Sequence, residues 1–280
     1  MNDFVSIQQV AVPAFLYGTA WKEERTEELT ALALAAGFRA IDTANQRKHY
    51  VEAAVGAALE ASHVARGGVF LQTKFTYARG QDHRLPYDPK ASLATQVRQS
   101  FESSLEHLRV EYLDSLVLHG PWSNHGWSQE DRDAWRTMEQ LHDERRVRLL
   151  GVSNVSREQL AKLFQEASVP PAFVQNRCYA RDGWDREVRS FAREHGIVYQ
   201  GFSLLTANRR ELGGPVMKAI AARVGATVPQ VVFRFARAVG MLPLTGTSDP
   251  QHMREDLASA TVDLGENDVA AIESLAERSS

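Results

Sequence analysis

Eight short apolar runs, many rich in β-branched residues, recur along this chain and alternate with longer segments whose apolar residues fall at helical spacing. The runs are AFLYG at 14–18, FRAID at 38–42, VFLQTK at 69–74, SLVLH at 115–119, RLLGVS at 148–153, AFVQN at 172–176, IVYQGF at 197–202 and MLPLTG at 241–246. Between them, TEELTALALAAG, PKASLATQVRQSFESSLEHL and VPQVVFRFARAVG read as amphipathic helices, several ending at a glycine as helix C-termini often do. A strand-helix unit repeated this often in about 250 residues predicts a closed (β/α)₈ TIM barrel, since an open doubly wound sheet uses fewer units. No Pro/Ser-rich linker or low-complexity stretch interrupts the alternation, so residues 1–280 read as a single barrel domain. The segment ENDVAAIESLAERS after residue 262 predicts a last helix packed outside the barrel.

Such a barrel gathers the C-terminal ends of its strands at one mouth, where its chemistry is done. Two long loops, FTYARGQDHRLPYDPK at 75–90 after the third strand and PWSNHGWSQ at 121–129 after the fourth, are expected to overhang that mouth. Trp122 and Trp127 lie in the second and are candidate walls of a substrate pocket, with capping of the barrel rim as the plainer alternative.

Composition removes several classes of function. With 32 basic against 35 acidic residues the chain carries a formal charge of -3, too little field to hold a polyanion, so no nucleic-acid partner is expected. The basic cluster ERRVR at 144–148 reads as a solvated turn. A single cysteine, Cys178, allows neither an internal disulfide nor a thiolate metal cluster; it reads as a packing residue in a protein of a reducing compartment, here the cytoplasm. No apolar run approaches 18 residues, and MNDFVSIQQV lacks the basic and apolar blocks of a secretion signal, so neither membrane insertion nor export is expected.

The last residues of the predicted strands are Asp42, Lys74, His119, Ser153 with Asn154, Gln175 with Asn176, Phe202 with Ser203, and Thr245. One buried carboxylate or imidazole has a structural explanation, but several ionisable groups at one mouth are costly to desolvate and rarely gathered without use. Asp42, Lys74, His119 and a phenol from the loop IDTANQRKHY suggest proton delivery. A neighbouring ammonium favours phenolate, so Lys74 is expected to lower the tyrosine pKa, while His119 donates to a carbonyl oxygen that gains charge.

The segments GTAW at 18–21, GFRAIDTA at 37–44, LQTKF at 71–75, YLDSLVLHGP at 112–121, VRLLGVSN at 147–154, FVQNRCY at 173–179, GIVYQGFS at 196–203 and MLPLTGTSDPQHMREDL, in this order, resemble the aldo-keto reductase superfamily over essentially the whole chain. That resemblance implies reversible reduction of aldehydes and ketones with NADPH or NADH, and a catalytic tetrad at Asp42, Tyr50, Lys74 and His119. The usual tyrosine spacing after the aspartate would select Arg47. Anchoring on the following VEAAVG lengthens the loop by about two residues and leaves His49 and Tyr50 near the expected place; Tyr50 is preferred, being the phenol that Lys74 can tune.

The resemblance also implies a cofactor site. Gly18 and Thr19 begin it; Ser153, Asn154 and Gln175 would hold the nicotinamide carboxamide, and Phe202 would stack on its ring. Ser203 and Leu205 would follow the pyrophosphate, with Thr245, Gly246 and Thr247 opening the loop after the eighth strand. Leu244 replaces a lysine common in NADPH-using relatives, leaving His252 and Arg254 as cations for a 2'-phosphate, so NADPH is favoured over NADH. Trp21 and His49 join Trp122 and Trp127 as candidate pocket walls for a small-molecule carbonyl or alcohol substrate. Two other classes stay open: a carbon-carbon lyase with a Schiff base on Lys74, and a cofactor-binding partner subunit without turnover. No metal is expected, since Asp42 and His119 lack a second histidine or carboxylate at ligand spacing, and His107, His125 and His142 are unassigned.

Overall fold

The computed structural model describes residues 4–275. Strands β1 (Phe4–Ile7) and β2 (Val10–Pro13) form an antiparallel hairpin. Strands and helices then alternate: β3 (Leu16–Gly18), α1 (Thr26–Ala36), β4 (Ala40–Asp42), α2 (Glu52–Ala61), β5 (Phe70–Phe75), α3 (Leu93–Leu108), β6 (Leu113–Leu118) and α4 (Gln129–Asp143). The second half runs β7 (Val147–Ser153), α5 (Arg157–Glu166), β8 (Phe173–Arg177), α6 (Arg186–Glu194) and β9 (Val198–Phe202). Helices α7 (Arg209–Leu212), α8 (Pro215–Val224) and α9 (Val228–Ala238) lead to β10 (Met241–Thr245), followed by α10 (Pro250–Ala258) and α11 (Glu266–Glu273).

Strands β3 to β10 pair in parallel in chain order and close β10 onto β3, giving the predicted (β/α)₈ barrel from the eight predicted runs. Local chemistry supports each turn of the pattern. Ser128, Ser156 and Thr227 cap α4, α5 and α9 through reciprocal capping boxes, and Gly37 ends α1 at φ 116°. Helices α2 and α3 approach so closely at Gly56 that a Cβ there would lie 2.1 Å from the His107 carbonyl oxygen.

Alternation along the strands sorts the barrel interior into layers. At the base, Leu16, Ala40, Phe70, Leu149, Phe173 and Leu242 meet Ile7, Val10 and Val12 of the hairpin, which plugs that end with apolar side chains. The hairpin carries no signal in the sequence pattern. Its turn residues Gln8 and Gln9 adopt φ of 45° and 67°, a conformation usually announced by Asn or Gly. Two residues further along β4, β5 and β8, and at the matching level of β6 and β9, the layer above is polar: Asp42, Gln72, Gln175, Ser115 and Gln200.

At the mouth, residues 76–92 join β5 to α3 and residues 119–128 join β6 to α4, matching the predicted long loops. The last helix packs outside the barrel as predicted, with Ile272 buried and its carbonyl accepting from Trp184 Nε1 at 2.9 Å; the rest of the predicted helix, 276–279, lies outside the described residues. Among the described residues no single helix is long and apolar enough to cross a membrane.

Candidate active site

Asp42 ends β4 and Lys74 lies one residue before the end of β5, both facing inward and almost fully buried. Lys74 Nζ donates to both Asp42 oxygens at 2.7 Å and to the Thr43 carbonyl at 2.8 Å. Beneath this pair, Gln72 Nε2 and Gln175 Nε2 donate to Asp42 Oδ1 at 2.7 and 3.0 Å. Because an ionised carboxylate only accepts, it fixes which end each amide presents. The amides are fixed from below as well: Gln200 Oε1 accepts from both at 2.9 Å, and Ser115 Oγ donates to Gln72 Oε1 at 2.8 Å. Gln72 and Gln200 did not figure among the sequence candidates, yet each stands two residues before one, Lys74 or Phe202, and so on the same inward row.

Above this network opens a cavity of about 830 Å³. Asp42, Tyr50 and His119 line it, and Lys74 lies beneath its wall with Nζ 5.4 Å from the centre of the Tyr50 ring. The Tyr50 and His119 rings meet edge to face, with centres 6.0 Å apart. The Tyr50 hydroxyl makes no hydrogen bond among the described residues. His119 is anchored at both ends, its backbone N–H donating to the Phe75 carbonyl at 2.9 Å and its Nδ1 lying 2.7 Å from Thr76 Oγ1.

Electrostatics here differ from the sequence expectation in one respect. Burial first, and then the Asp42 charge, push the Tyr50 phenol well above its ordinary value; Lys74 does not lower it. The reason is local pairing, because the Lys74 ammonium is compensated by Asp42 and is itself pushed down by burial. The same burial, reinforced by Lys74 and His49, lowers His119 to about 3, leaving a neutral imidazole. His49 is displaced downward by burial and by Lys48.

The remaining predicted residues divide into two groups. Gly18, Trp21, His49, Ser153, Asn154, Gln175, Phe202, Ser203, Leu205, Thr245, Gly246 and Thr247 line the cavity. Trp21 packs against His49 with ring centres 3.5 Å apart and planes tilted by 31°, and at Gly18 a Cβ would lie 2.6 Å from Leu244 Cδ2. Thr19 stands behind the wall, its hydroxyl on the Asp42 carbonyl at 3.1 Å. Trp122 and Trp127 are also off the wall: Trp122 packs edge-on against Tyr77 with centres 5.1 Å apart, and Trp127 is buried. The loop that carries them folds back onto its own helix, where Asp131 Oδ1 accepts from Trp122 N at 2.6 Å. His252 and Arg254 are exposed on α10 outside the cavity, and Asp249 caps that helix by accepting from Gln251 N and His252 N. The wall also includes Gln46, Arg177, Tyr179, Phe233 and Leu244, none of them a sequence candidate.

The cavity suits a nicotinamide. Asn154 and Gln175 keep their side-chain oxygens without hydrogen-bond partners among the described residues, so two amide acceptors are free for a carboxamide N–H₂. Phe202 adds an aromatic face beside them. The barrel and its mouth thus define a class, a TIM-barrel enzyme with a proton-handling centre beside a cofactor-sized groove.

Comparison with known proteins identifies the family within that class. The Aldo/keto reductase family pattern matches residues 16–277. An aldo-keto reductase of Mycolicibacterium smegmatis is 30% identical over 98% of this chain and 92% of its own length. A glyoxal reductase of Bacillus subtilis is 28% identical over 98% of this chain and 93% of its own. Among solved structures, an aldo/keto reductase from Brucella melitensis superposes with a TM-score of 0.84 at 26% identity, over 98% of this chain and 100% of that one. A silkworm (Bombyx mori) aldo-keto reductase complexed with NADPH gives 0.83 at 22% identity, over 98% of this chain and 88% of that one, a likeness of fold alone. This chain belongs to the aldo/keto reductase family, whose members are nicotinamide-dependent oxidoreductases acting on carbonyl groups.

Proposed function

We propose that this protein reduces a small aldehyde or ketone to its alcohol with NADPH, Tyr50 supplying the proton. The observation that carries this reading is the meeting of Asp42 at the end of β4, Tyr50 from the loop that follows, Lys74 from β5 and His119 after β6 at the inner end of one cavity, with Lys74 just beneath its wall. The bound nicotinamide supplies the hydride. Asn154 and Gln175 would hold its carboxamide, Phe202 its ring, and Ser203, Leu205 and the Thr245–Thr247 segment its phosphates, with His252 and Arg254, exposed on α10, as the cations for a 2'-phosphate.

The protein's own groups act on the carbonyl oxygen. In this reading Thr76 Oγ1 donates to Nδ1, so that neutral His119 carries its hydrogen on Nε2 and donates it to that oxygen as negative charge develops there. Tyr50, protonated across the working pH range, passes its hydroxyl proton to the same oxygen. Lys74 places a positive charge near the phenolate that remains, and Asp42 with the three glutamines holds Lys74 in place. Burial of Lys74, off the cavity wall and bonded to Asp42, speaks against a Schiff-base role for its amine.

The Bacillus subtilis relative named for glyoxal reduction makes small dicarbonyls the first substrates to try. The test is NADPH and NADH oxidation with a panel of aldehydes and ketones, glyoxal included, on the wild type and Tyr50→Phe. Turnover abolished in the variant supports the reading; turnover retained there defeats it.

A further inference from the structure

Along β8, alternate residues face the barrel interior. Phe173 lies in the apolar base and Gln175 bonds Asp42 one layer up, so Arg177 is next on the inward row. It pairs in register with Phe202, and its guanidinium carbon lies 5.6 Å from the centre of that ring, on the cavity wall. Among the described residues the Arg177 side chain makes no ion pair and no hydrogen bond. Asp182 and Asp185 line an adjoining pocket with Arg177 but pair with other cations: Asp182 faces Arg181 at 3.7 Å, and Asp185, which accepts from Asn176 and Tyr199, lies in the field of Arg189. Asp42, the one carboxylate on the wall, is compensated by Lys74. The cavity wall therefore carries one permanent positive charge without an ion-pair partner among the described residues, beside the ring assigned to the nicotinamide.

We propose that Arg177 makes the site discriminate between the redox states of its cofactor, weakening its hold on the oxidised form relative to the reduced one. This rests on the nicotinamide reading above. Reduced nicotinamide is neutral and its oxidised form is a pyridinium cation, so a fixed guanidinium nearby repels only the second. The aromatic ring acts in the same direction. Its negative face attracts the guanidinium, and a pyridinium stacked on Phe202 draws on the same quadrupole. The phosphates, identical in both forms, cancel from the ratio of affinities. In the reducing direction the oxidised product is the form expelled, so the charge favours turnover.

Equilibrium binding of NADPH and NADP⁺, followed by quenching of tryptophan fluorescence, tests this on wild type, Arg177→Met, Arg177→Glu and Arg177→Lys, without any substrate. Trp21 on the cavity wall makes the signal local. The oxidised-to-reduced ratio of Kd is expected to fall about fivefold in Arg177→Met, further in Arg177→Glu, and to stay near the wild-type value in Arg177→Lys. Equal weakening of both forms would make Arg177 a phosphate anchor and overturn the proposal, and no change in either form would overturn it too. Wild-type protein that binds neither form would instead defeat the cofactor reading on which it stands. Circular dichroism melts establish that the variants are folded, as the exposure of Arg177 leads one to expect.

Discussion

The Lys74 ammonium lies 5.4 Å from the centre of the Tyr50 ring while both Asp42 oxygens hold it at 2.7 Å. A compensated cation so placed leaves the phenol protonated in the resting site, yet it stands ready to favour the anion once the proton has gone. In the proposed mechanism this geometry separates the proton donor, Tyr50, from the group that steadies its anion, Lys74.

In the proposed mechanism Tyr50→Phe removes the hydroxyl that delivers the proton and leaves the ring. Turnover should fall by about 10²–10⁴-fold with cofactor affinity nearly unchanged, as steady-state kinetics and fluorescence titration would measure. His49→Ala should retain turnover; loss there, with activity kept in Tyr50→Phe, would reverse the assignment.

Lys74→Met strands the Asp42 charge in the barrel. Unfolding in urea should show a loss of about 3–5 kcal/mol, and Asp42→Asn added to it should restore part of that, because no uncompensated charge then remains. A single-variant loss below about 1 kcal/mol would mean that the amides alone satisfy Asp42.

Two tryptophans that look alike in sequence should behave differently. Trp21→Ala removes a cavity wall and the ring that holds His49, so KM should rise about tenfold. Trp122→Ala should leave KM within about twofold, since its ring packs on Tyr77 away from the cavity.

The pH profile of reduction should be flat across the range set by the two proton-handling groups. His119, at about 3, is already neutral, and Tyr50 stays protonated far into alkali. Any acid limb in kcat/KM should then come from His49, which is displaced downward, and should vanish in His49→Asn. A limb that survives His49→Asn would place the titration elsewhere.

Asp256, buried on α10 and accepting from Thr245 Oγ1 at 2.8 Å, is pushed up to about 6, chiefly by burial. A carboxyl whose folded value is raised binds protons more tightly in the native state, so its contribution is full below the unfolded carboxylate value near 3.8 and is lost as pH rises through about 6. Asp256→Asn should abolish this segment of the stability curve, worth about 3 kcal/mol, and make the variant relatively more stable at neutral pH. Urea midpoints from acid to neutral pH would measure it; parallel curves for the two proteins would contradict the assignment.

Much of this was legible in the chain because periodicity and strand ends are local properties. The run FLQTKF already puts Gln72 and Lys74 on one face, and VQNR does the same for Gln175 and Arg177. The hairpin was not legible, because its glutamine turn carries no turn signal and its apolar side chains acquire meaning only against the barrel base.

The sequence alone determined the eight-fold alternation, the order of the strands and the residues at their C-terminal ends, since these follow from which side chains prefer to leave water at a spacing of two or of about 3.6 residues. Tertiary structure decided which of those residues share a space: that Tyr50 and His49 both reach the cavity, that Trp122 turns away from it, and that Asp42 compensates the charge of Lys74. Those outcomes depend on distance between atoms remote in the chain, and Coulombic and desolvation energies are functions of that distance and of burial, neither of which a linear pattern contains.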